Sequence, residues 1–323
     1  MLALKPRVPS RQPARFEKIV IVTRNTQLEE LLARFNTTAQ ARFYLEHAGE
    51  VFEPIERRHK NYHRALDTVR AIIPKNIKTL MIERSFLPQF RFEENDLVIT
   101  VGIDGLVVNT AKYLNRQPIL AVNPEPDVID GVLLPFTANT VERALDNAVY
   151  GEPRIKKISM AEAVLNDGQR LLAFNDLFIG AKSHVSARYE IQWGRRKELH
   201  SSSGIIVSTG AGSTGWLQSV YAGASGIVKA LGGQINPPAN HGRIDWEAEQ
   251  LIYAVREPFP SKSSQASLVY GTITPEKPLQ LSSHMAENGV IFSDGVEADY
   301  VAFNSGTHAT IRISDKKTSL IVS

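Results

Sequence analysis

The chain contains no cysteine. That excludes disulfide bonds, a thiolate nucleophile and cysteine-ligated zinc, and it fits a reducing compartment. No run approaches the ~18 consecutive apolar residues needed to cross a bilayer. The sequence also lacks internal repeats, low-complexity tracts and long blocks of like charge. A net charge of +3 over 323 residues is too mild to demand a nucleic-acid partner, although it suits anionic small molecules. What is present, 43% apolar and 22% charged residues, is ordinary for a globular chain long enough for two domains. We expect a cytoplasmic protein, from a bacterium, with no membrane or nucleic-acid partner. Met1 to Phe16 carries several arginines and no acid, as a transit peptide does. Pro6, Pro9 and Pro13 and the lack of an amphipathic stripe favour a disordered arm instead.

Lys18–Thr23 is a β-branched run of the kind that forms a buried parallel strand. Asn25 or Thr26 can cap a helix from Gln27, where Leu28, Leu31, Leu32 and Phe35 have helical spacing. A second helix is expected over Arg57–Ile72, strands at Thr79–Glu83, Leu97–Val101 and Ile119–Val122, and a helix over Gly105–Leu114. Alternating strands and helices predict an α/β domain with a parallel sheet over residues 1–150. Beyond it, Leu171–Ile179, Arg188–Trp193, Gly204–Ser208, Gln250–Val255, Leu279–Ser282, Gly289–Phe292 and Ala309–Ile313 read as short strands. Ser213–Leu231 reads as a helix and Gly232–Arg243 as a long loop. Residues 151–323 are therefore expected to form a β-rich domain.

Two glycine-rich stretches lie about a hundred residues apart. In the first, Val101-Gly102-Ile103-Asp104-Gly105-Leu106 reads as a strand end, an abrupt turn with one carboxylate, and a helix start. Small residues let backbone approach a phosphate, and a helix N-terminus favours its charge. Asp104 could orient or deprotonate an attacking hydroxyl, or simply cap the helix. The second, Ser203-Gly204 through Ser208-Thr209-Gly210-Ala211-Gly212-Ser213-Thr214-Gly215-Trp216, repeats strand, turn and helix without an acid, and Ser213 could be a cap. Between them, Asn175-Asp176 interrupts an apolar strand. One of the two should face inward and need a partner, which a ribose or adenine could supply. A bulge that satisfies Asn175 internally is the other reading.

These three stretches, in this order, resemble the NAD kinases. That family carries GGDGT after a strand, an Asn-Glu pair in an ALNE context, and a DG…STPTGSTAY stretch opening a helix. Ala121-Val122-Asn123-Pro124-Glu125-Pro126, Phe178-Ile179-Gly180, Ser202-Ser203-Gly204, Trp216 and Arg256-Glu257-Pro258 resemble its mitochondrial-type branch, and Ser293-Asp294-Gly295 its late Asp-Gly turn. The resemblance extends from about Lys18 to Ile313. It implies an NAD kinase-like fold and transfer of the ATP γ-phosphate, with Mg²⁺, to the 2′-hydroxyl of NAD. It further implies that Asp104 is the catalytic acid or orienting group, with Gly102 and Gly105 keeping the phosphate turn open. Asn175 and Asp176 would hold the acceptor's adenosine, Thr214, Gly215 and Trp216 would line its pocket, and Ser213 would lie near phosphate. A homodimer or larger homo-oligomer is implied as well.

Several positions depart from the family pattern. Ile103 and Leu106 replace a glycine and a threonine, Asp176 replaces glutamate, and Gly210 and Ala211 replace proline and threonine. These departures motivate two rivals: a kinase of the same fold with a sugar, lipid or other nucleoside acceptor, and a catalytically inactive nucleotide-binding regulator. His59 and His63 have the spacing of a helical metal pair. With Arg57, Arg58 and Lys60 beside them and no third ligand evident in sequence, they read as a solvated basic face that could meet phosphate. No metal ligand is assigned. Arg195-Arg196-Lys197 reads as a hairpin turn.

Overall fold

The computed structural model describes residues 13–235 and 242–323. Most of the expected N-terminal arm and the Pro237–Asn240 part of the expected loop lie outside them. The chain forms two compact units, one comprising residues through Lys156 with Ser319–Ser323, the other Lys157–Thr318.

The first unit runs β1 (Lys18–Thr23), α1 (Gln27–Phe35), α2 (Thr38–His47), α3 (Glu53–Ile72), β2 (Lys78–Glu83), β3 (Asp96–Val101), α4 (Asp104–Ala111), β4 (Pro118–Asn123), β5 (Phe136–Thr137) and α5 (Val141–Tyr150). Its strands are parallel throughout: β1 pairs with β2 and β3, and β4 with β3 and β5. Ser319 and Leu320 also pair with Pro118 and Ile119. Every residue of β3 and β4 is buried, as expected for strands covered on both faces. Ile19, Ile21, Leu97, Ile99, Leu120 and Val122 pack with Tyr62, Ala65, Leu66 and Val69 of α3 and Val141, Leu145 and Ala148 of α5. Each buried Val, Leu or Ile among these contributes roughly 1.5–3 kcal/mol. α1 begins at a capping box, in which Thr26 accepts from the Glu29 amide and the Glu29 carboxylate accepts from the Thr26 amide.

The strand order β2-β1-β3-β4 means that the chain leaves β1 on one side and returns to it on the other. The reversal falls between β1 and β3. In open parallel sheets this is where loops diverge and a ligand finds room beyond the strands' carboxyl ends.

The second unit contains β6 (Ile155–Leu165), β7 (Arg170–Ala173), β8 (Asp176–Ala181), β9 (Ala187–Trp193), β10 (Arg196–Ser202), β11 (Ile205–Ser208), α6 (Trp216–Ala230), β12 (Leu251–Val255), β13 (Tyr270–Ile273), β14 (Leu279–Ser283), β15 (Gly289–Ser293), β16 (Val296–Ala302) and β17 (His308–Ile321). One antiparallel sheet has the order β13-β12-β11-β8-β15-β16, and β10-β9-β14-β17 is a second ladder, with β6 paired to β17 and β7. Their inner residues form one core, including Leu177, Ile179, Val207, Tyr253 and Ile291 from the first sheet and Tyr189, Ile191, Leu281 and Ile311 from the second. Gly194, in the left-handed region, makes the β9–β10 turn that carries Arg195.

The expected strand Leu171–Ile179 is two strands, because the chain breaks at Phe174 and Asn175. The helix expected over Ser213–Leu231 starts at Trp216 after a single 3₁₀ turn, Gly212–Thr214. Among the described residues no helix is long and apolar enough to cross a membrane.

Candidate functional site

In the first unit, the turn after β3 stands at the reversal point. Gly102 is buried, its amide donating to Val122 O (3.1 Å). A Cβ there would stand 3.1 Å from Leu106 Cδ2 and 3.4 Å from the Arg24 side chain, so a larger residue would press on both. Ile103 is extended (φ −107°) and 37% exposed. The turn therefore requires no glycine at position 103, and the isoleucine side chain faces outward. Gly105 is open, with nothing closer than 3.9 Å to an added Cβ. Leu106 is buried in the first turn of α4, so in this chain position 106 belongs to the core and not to the ligand surface.

Asp104 is the first residue of α4 and does not cap it; Ile103 holds that position, without a side-chain bond. One Asp104 oxygen, Oδ1, accepts from the Leu133 amide (2.7 Å). That amide reaches it from the loop after β4, which is shaped by buried Asn123. Asn123 donates to Ile129 O (2.8 Å) and accepts from the Glu125 amide (3.0 Å). Asp104 Oδ2 has no hydrogen-bond partner among the described residues. The carboxylate is thus held at one oxygen and free at the other, as an orienting or proton-accepting group requires.

A cavity of about 360 Å³ opens beside this turn, lined by Arg24, Arg58, His59, Tyr62, Gly102 and Ile103 among others. Arg24 follows β1, and its amide donates to the Tyr62 hydroxyl (3.1 Å). Arg58 and His59 come from α3, so part of the basic face noted in the sequence lines the same cavity as the glycine turn. Glu125 also lines it and accepts from the Asn61 amide (3.2 Å). Arg24 and Tyr62 were not singled out from sequence; for Arg24 a signal existed, since it follows a strand that borders the reversal.

In the second unit, residues 174–176 and 209–216 form one polar assembly. The Asp294 carboxylate accepts from the amides of Phe174 (3.1 Å), Asn175 (2.6 Å) and Asp176 (3.4 Å). Asp294 itself lies in the β15–β16 turn with Gly295, both at positive φ. From the other side, the Thr209 hydroxyl donates to Phe174 O (2.6 Å) and its amide to Asn175 O (2.9 Å). Gly212 packs so closely that an added Cβ would stand 2.2 Å from Asn175 O. Asn175 therefore sits between two strands, not inside one, and its side-chain amide has no partner among the described residues.

Asp176 opens β8. Its Oδ1 is buried without a hydrogen-bond partner. Burial pushes its carboxyl up to about 7; the Ser208 hydroxyl pulls it down and the nearby Asp294 charge adds to the rise. Such an atom is costly to leave bare, and a ligand hydroxyl or amino group would satisfy it. Ser213 is fully buried, its hydroxyl donating to Gly210 O (2.7 Å) and accepting from the Ile244 amide (3.1 Å). That hydroxyl is committed to the protein, and α6 has no side-chain cap. Thr214 and Gly215 are exposed at the start of α6. Trp216 stacks on Phe178 (5.8 Å, 10°), and the Arg256 guanidinium lies over the Trp216 ring, 5.5 Å from its centroid.

No family model matches the chain. Among curated proteins it is 26% identical over 245 residues to a probable NADH kinase of Oryza sativa subsp. japonica, spanning 68% of this chain and 69% of that one. It is 33% identical over 129 residues to an NAD kinase of Clostridium kluyveri, spanning 38% of this chain and 44% of that one. Among solved structures, the NAD kinase from Archaeoglobus fulgidus in complex with ATP aligns over 94% of this chain and 93% of its own, with TM-score 0.55 and 15% identity. The yeast NADH kinase complexed with NADH aligns over 99% of this chain and 88% of its own, with TM-score 0.56 and 12% identity. These likenesses establish a shared fold.

Proposed function

We infer that this chain, a protein of the NAD kinase family by its sequence relatives and its fold, is a phosphotransferase that converts NAD or NADH to the corresponding 2′-phosphate with ATP as donor. The observation that carries this reading is Asp104: a carboxylate at the sheet's reversal point, fixed at Oδ1 by the Leu133 amide and free at Oδ2. In the proposed reaction Oδ2 orients the acceptor hydroxyl and takes its proton as the oxygen–phosphorus bond forms and the donor's terminal bridge bond breaks. Gly102 and Gly105 keep the backbone beside Asp104 low enough for phosphates. Arg24 and Arg58 supply positive charge, and positioning with charge neutralisation provides most of the rate in such transfers.

Asn175 and Asp176 are proposed to hold the acceptor's adenosine portion through the free amide and the partnerless Oδ1, with Thr214, Gly215 and Trp216 beside them. Ser213 acts by fixing the 210–213 turn. Mg²⁺ suits a site of this kind, because it keeps several waters and is held largely by substrate phosphates, which leaves Asp104 Oδ2 to the acceptor hydroxyl. When bound it neutralises phosphate charge. Ile227, Val228 and Leu231, exposed along α6 and at its end, offer a surface for the homodimer included in the proposal, and the cysteine-free composition supports a cytoplasmic enzyme.

The test is NADP(H) formation from NAD or NADH, with ATP or polyphosphate and Mg²⁺, read by a coupled dehydrogenase. Asp104→Asn keeps the acceptor for the Leu133 amide, so stability holds while turnover drops roughly 10²–10⁴-fold. Wild-type turnover in that variant removes Asp104 from the mechanism. Protein that binds nucleotide yet forms no NADP(H) sinks the reading in favour of another acceptor or a regulator.

A further inference from the structure

We propose that Glu29, His59 and His63 form a binding site for a divalent transition metal of the zinc class, joining α1 to α3. One donor atom from each lies within 4.8 Å of the other two. In tetrahedral zinc the ligand atoms stand roughly 3.4 Å apart, from metal–ligand bonds near 2.0–2.1 Å. His63 Nε2 and Glu29 Oε1 are already 3.1 Å apart. His59 and His63, one helical turn apart on α3, have ring centroids separated by 4.4 Å. Metal binding would draw these donor atoms together from their present spacing of up to 4.8 Å.

The surrounding hydrogen bonds prepare Glu29 and His59, while His63 Nε2, which donates to Glu29 Oε1, gives up that proton on binding a metal. Glu29 Oε2 accepts from the Thr26 amide (2.7 Å) and the Thr26 hydroxyl (3.0 Å), leaving Oε1 turned to the histidines. Because the hydroxyl's single proton goes to Glu29, the 2.8 Å contact between Thr26 Oγ1 and His59 Nδ1 requires that Nδ1 be the donor. That tautomer leaves the lone pair of His59 on Nε2, available to a metal. Fixing the non-ligating ring nitrogen by a hydrogen bond to an oxygen is how metal-ligating histidines are generally oriented, and here the Thr26 hydroxyl supplies that oxygen. Glu29 and His63 are partly exposed, which leaves the fourth position to water. The nearest lysine on the same face, Lys60, is paired with Glu56 (3.2 Å), so its charge opposes a cation less. Two imidazoles and one carboxylate, with no thiolate in the chain, select zinc and its neighbours over magnesium or calcium.

The experiment uses the full chain, stripped with chelator and dialysed. It is titrated with Zn²⁺ by calorimetry, and with Co²⁺ for the visible bands of a four-coordinate site. The expected result is one Zn²⁺ per chain, a rise in melting temperature on addition, and intense Co²⁺ bands. Glu29→Gln retains the capping box, which glutamine also serves, and His63→Gln removes one imidazole. Each should weaken Zn²⁺ binding at least roughly tenfold, with circular dichroism confirming the fold, while His47→Gln and His184→Gln bind as wild type does. Absence of saturable Zn²⁺ binding, or binding unchanged by both ligand substitutions, overturns the proposal.

Discussion

Replacing Asp176 by asparagine should change how stability depends on pH. The folded carboxyl is raised to about 7 from an ordinary value of 3.8, chiefly by burial, with the Asp294 charge adding to the rise and the Ser208 hydroxyl opposing it. Between those two values the unfolded chain has released a proton that the folded chain still holds. Stability from this group is therefore fully present below about pH 4, falls as pH rises towards 7, and is lost above it. The difference between the two values, converted at 1.36 kcal/mol per tenfold step, sets an upper limit of roughly 4 kcal/mol. Asparagine cannot ionise and abolishes this dependence. Denaturant unfolding of both proteins at pH 5, 6, 7 and 8 isolates it, because titrating groups that do not interact with Asp176 cancel in the difference. The stability of the variant relative to wild type should climb by a few kcal/mol from pH 5 to 7 and level off near pH 8. A flat difference, or one that falls with pH, refutes the claim that the partnerless Oδ1 carries a burial penalty. The same linkage bears on binding: a nucleotide that donates a hydrogen bond to Oδ1 favours the ionised form, so its affinity should rise through pH 7.

Two further substitutions probe the frame around that residue. Asp294→Ala removes the acceptor for three backbone amides and should cost about 3 kcal/mol in denaturant unfolding; a loss under ~0.5 kcal/mol, the level of an ordinary surface substitution, would mean that those bonds do not hold the turn. Gly212→Ala drives a Cβ to 2.2 Å from Asn175 O. It should destabilise by about 3 kcal/mol or more by overpacking and weaken nucleotide binding with it, so a well-folded variant with wild-type affinity would contradict the close packing described.

The parallel sheet was legible because β1, β3 and β4 are apolar runs buried on both faces, and such runs need no distant information to be read. α5 was legible in principle, since Val141, Leu145, Ala148 and Val149 repeat at helical spacing, although no helix was expected there. β10 was not, because Arg196–Ser202 is a polar run that becomes a strand only by pairing with β9 across the Gly194 turn. The break at Asn175 was also hidden. The carboxylate that takes the amides of residues 174–176 lies 118 to 120 positions further along the chain, and composition within the strand carries no trace of it. Asp104, by contrast, could be picked out as a carboxylate after a buried strand, while the Leu133 amide that fixes it could not.

The histidine pair shows the same division within one small cluster. Spacing puts His59 and His63 on one face of a helix, and neighbouring arginines and a lysine make that face look merely basic. The third donor lies 34 residues before His63, and no local pattern joins the two. Yet the position of Glu29 is set by a rule that sequence does contain: a threonine three residues ahead of a glutamate at a helix start directs that carboxylate back to the cap. The cap therefore fixes one oxygen of Glu29, the packing of α1 on α3 decides what the other oxygen meets, and only the second of these required the fold. A binding site assembled from a capping box and an i, i+4 pair can be sought in other chains by asking which helix start packs against the paired face.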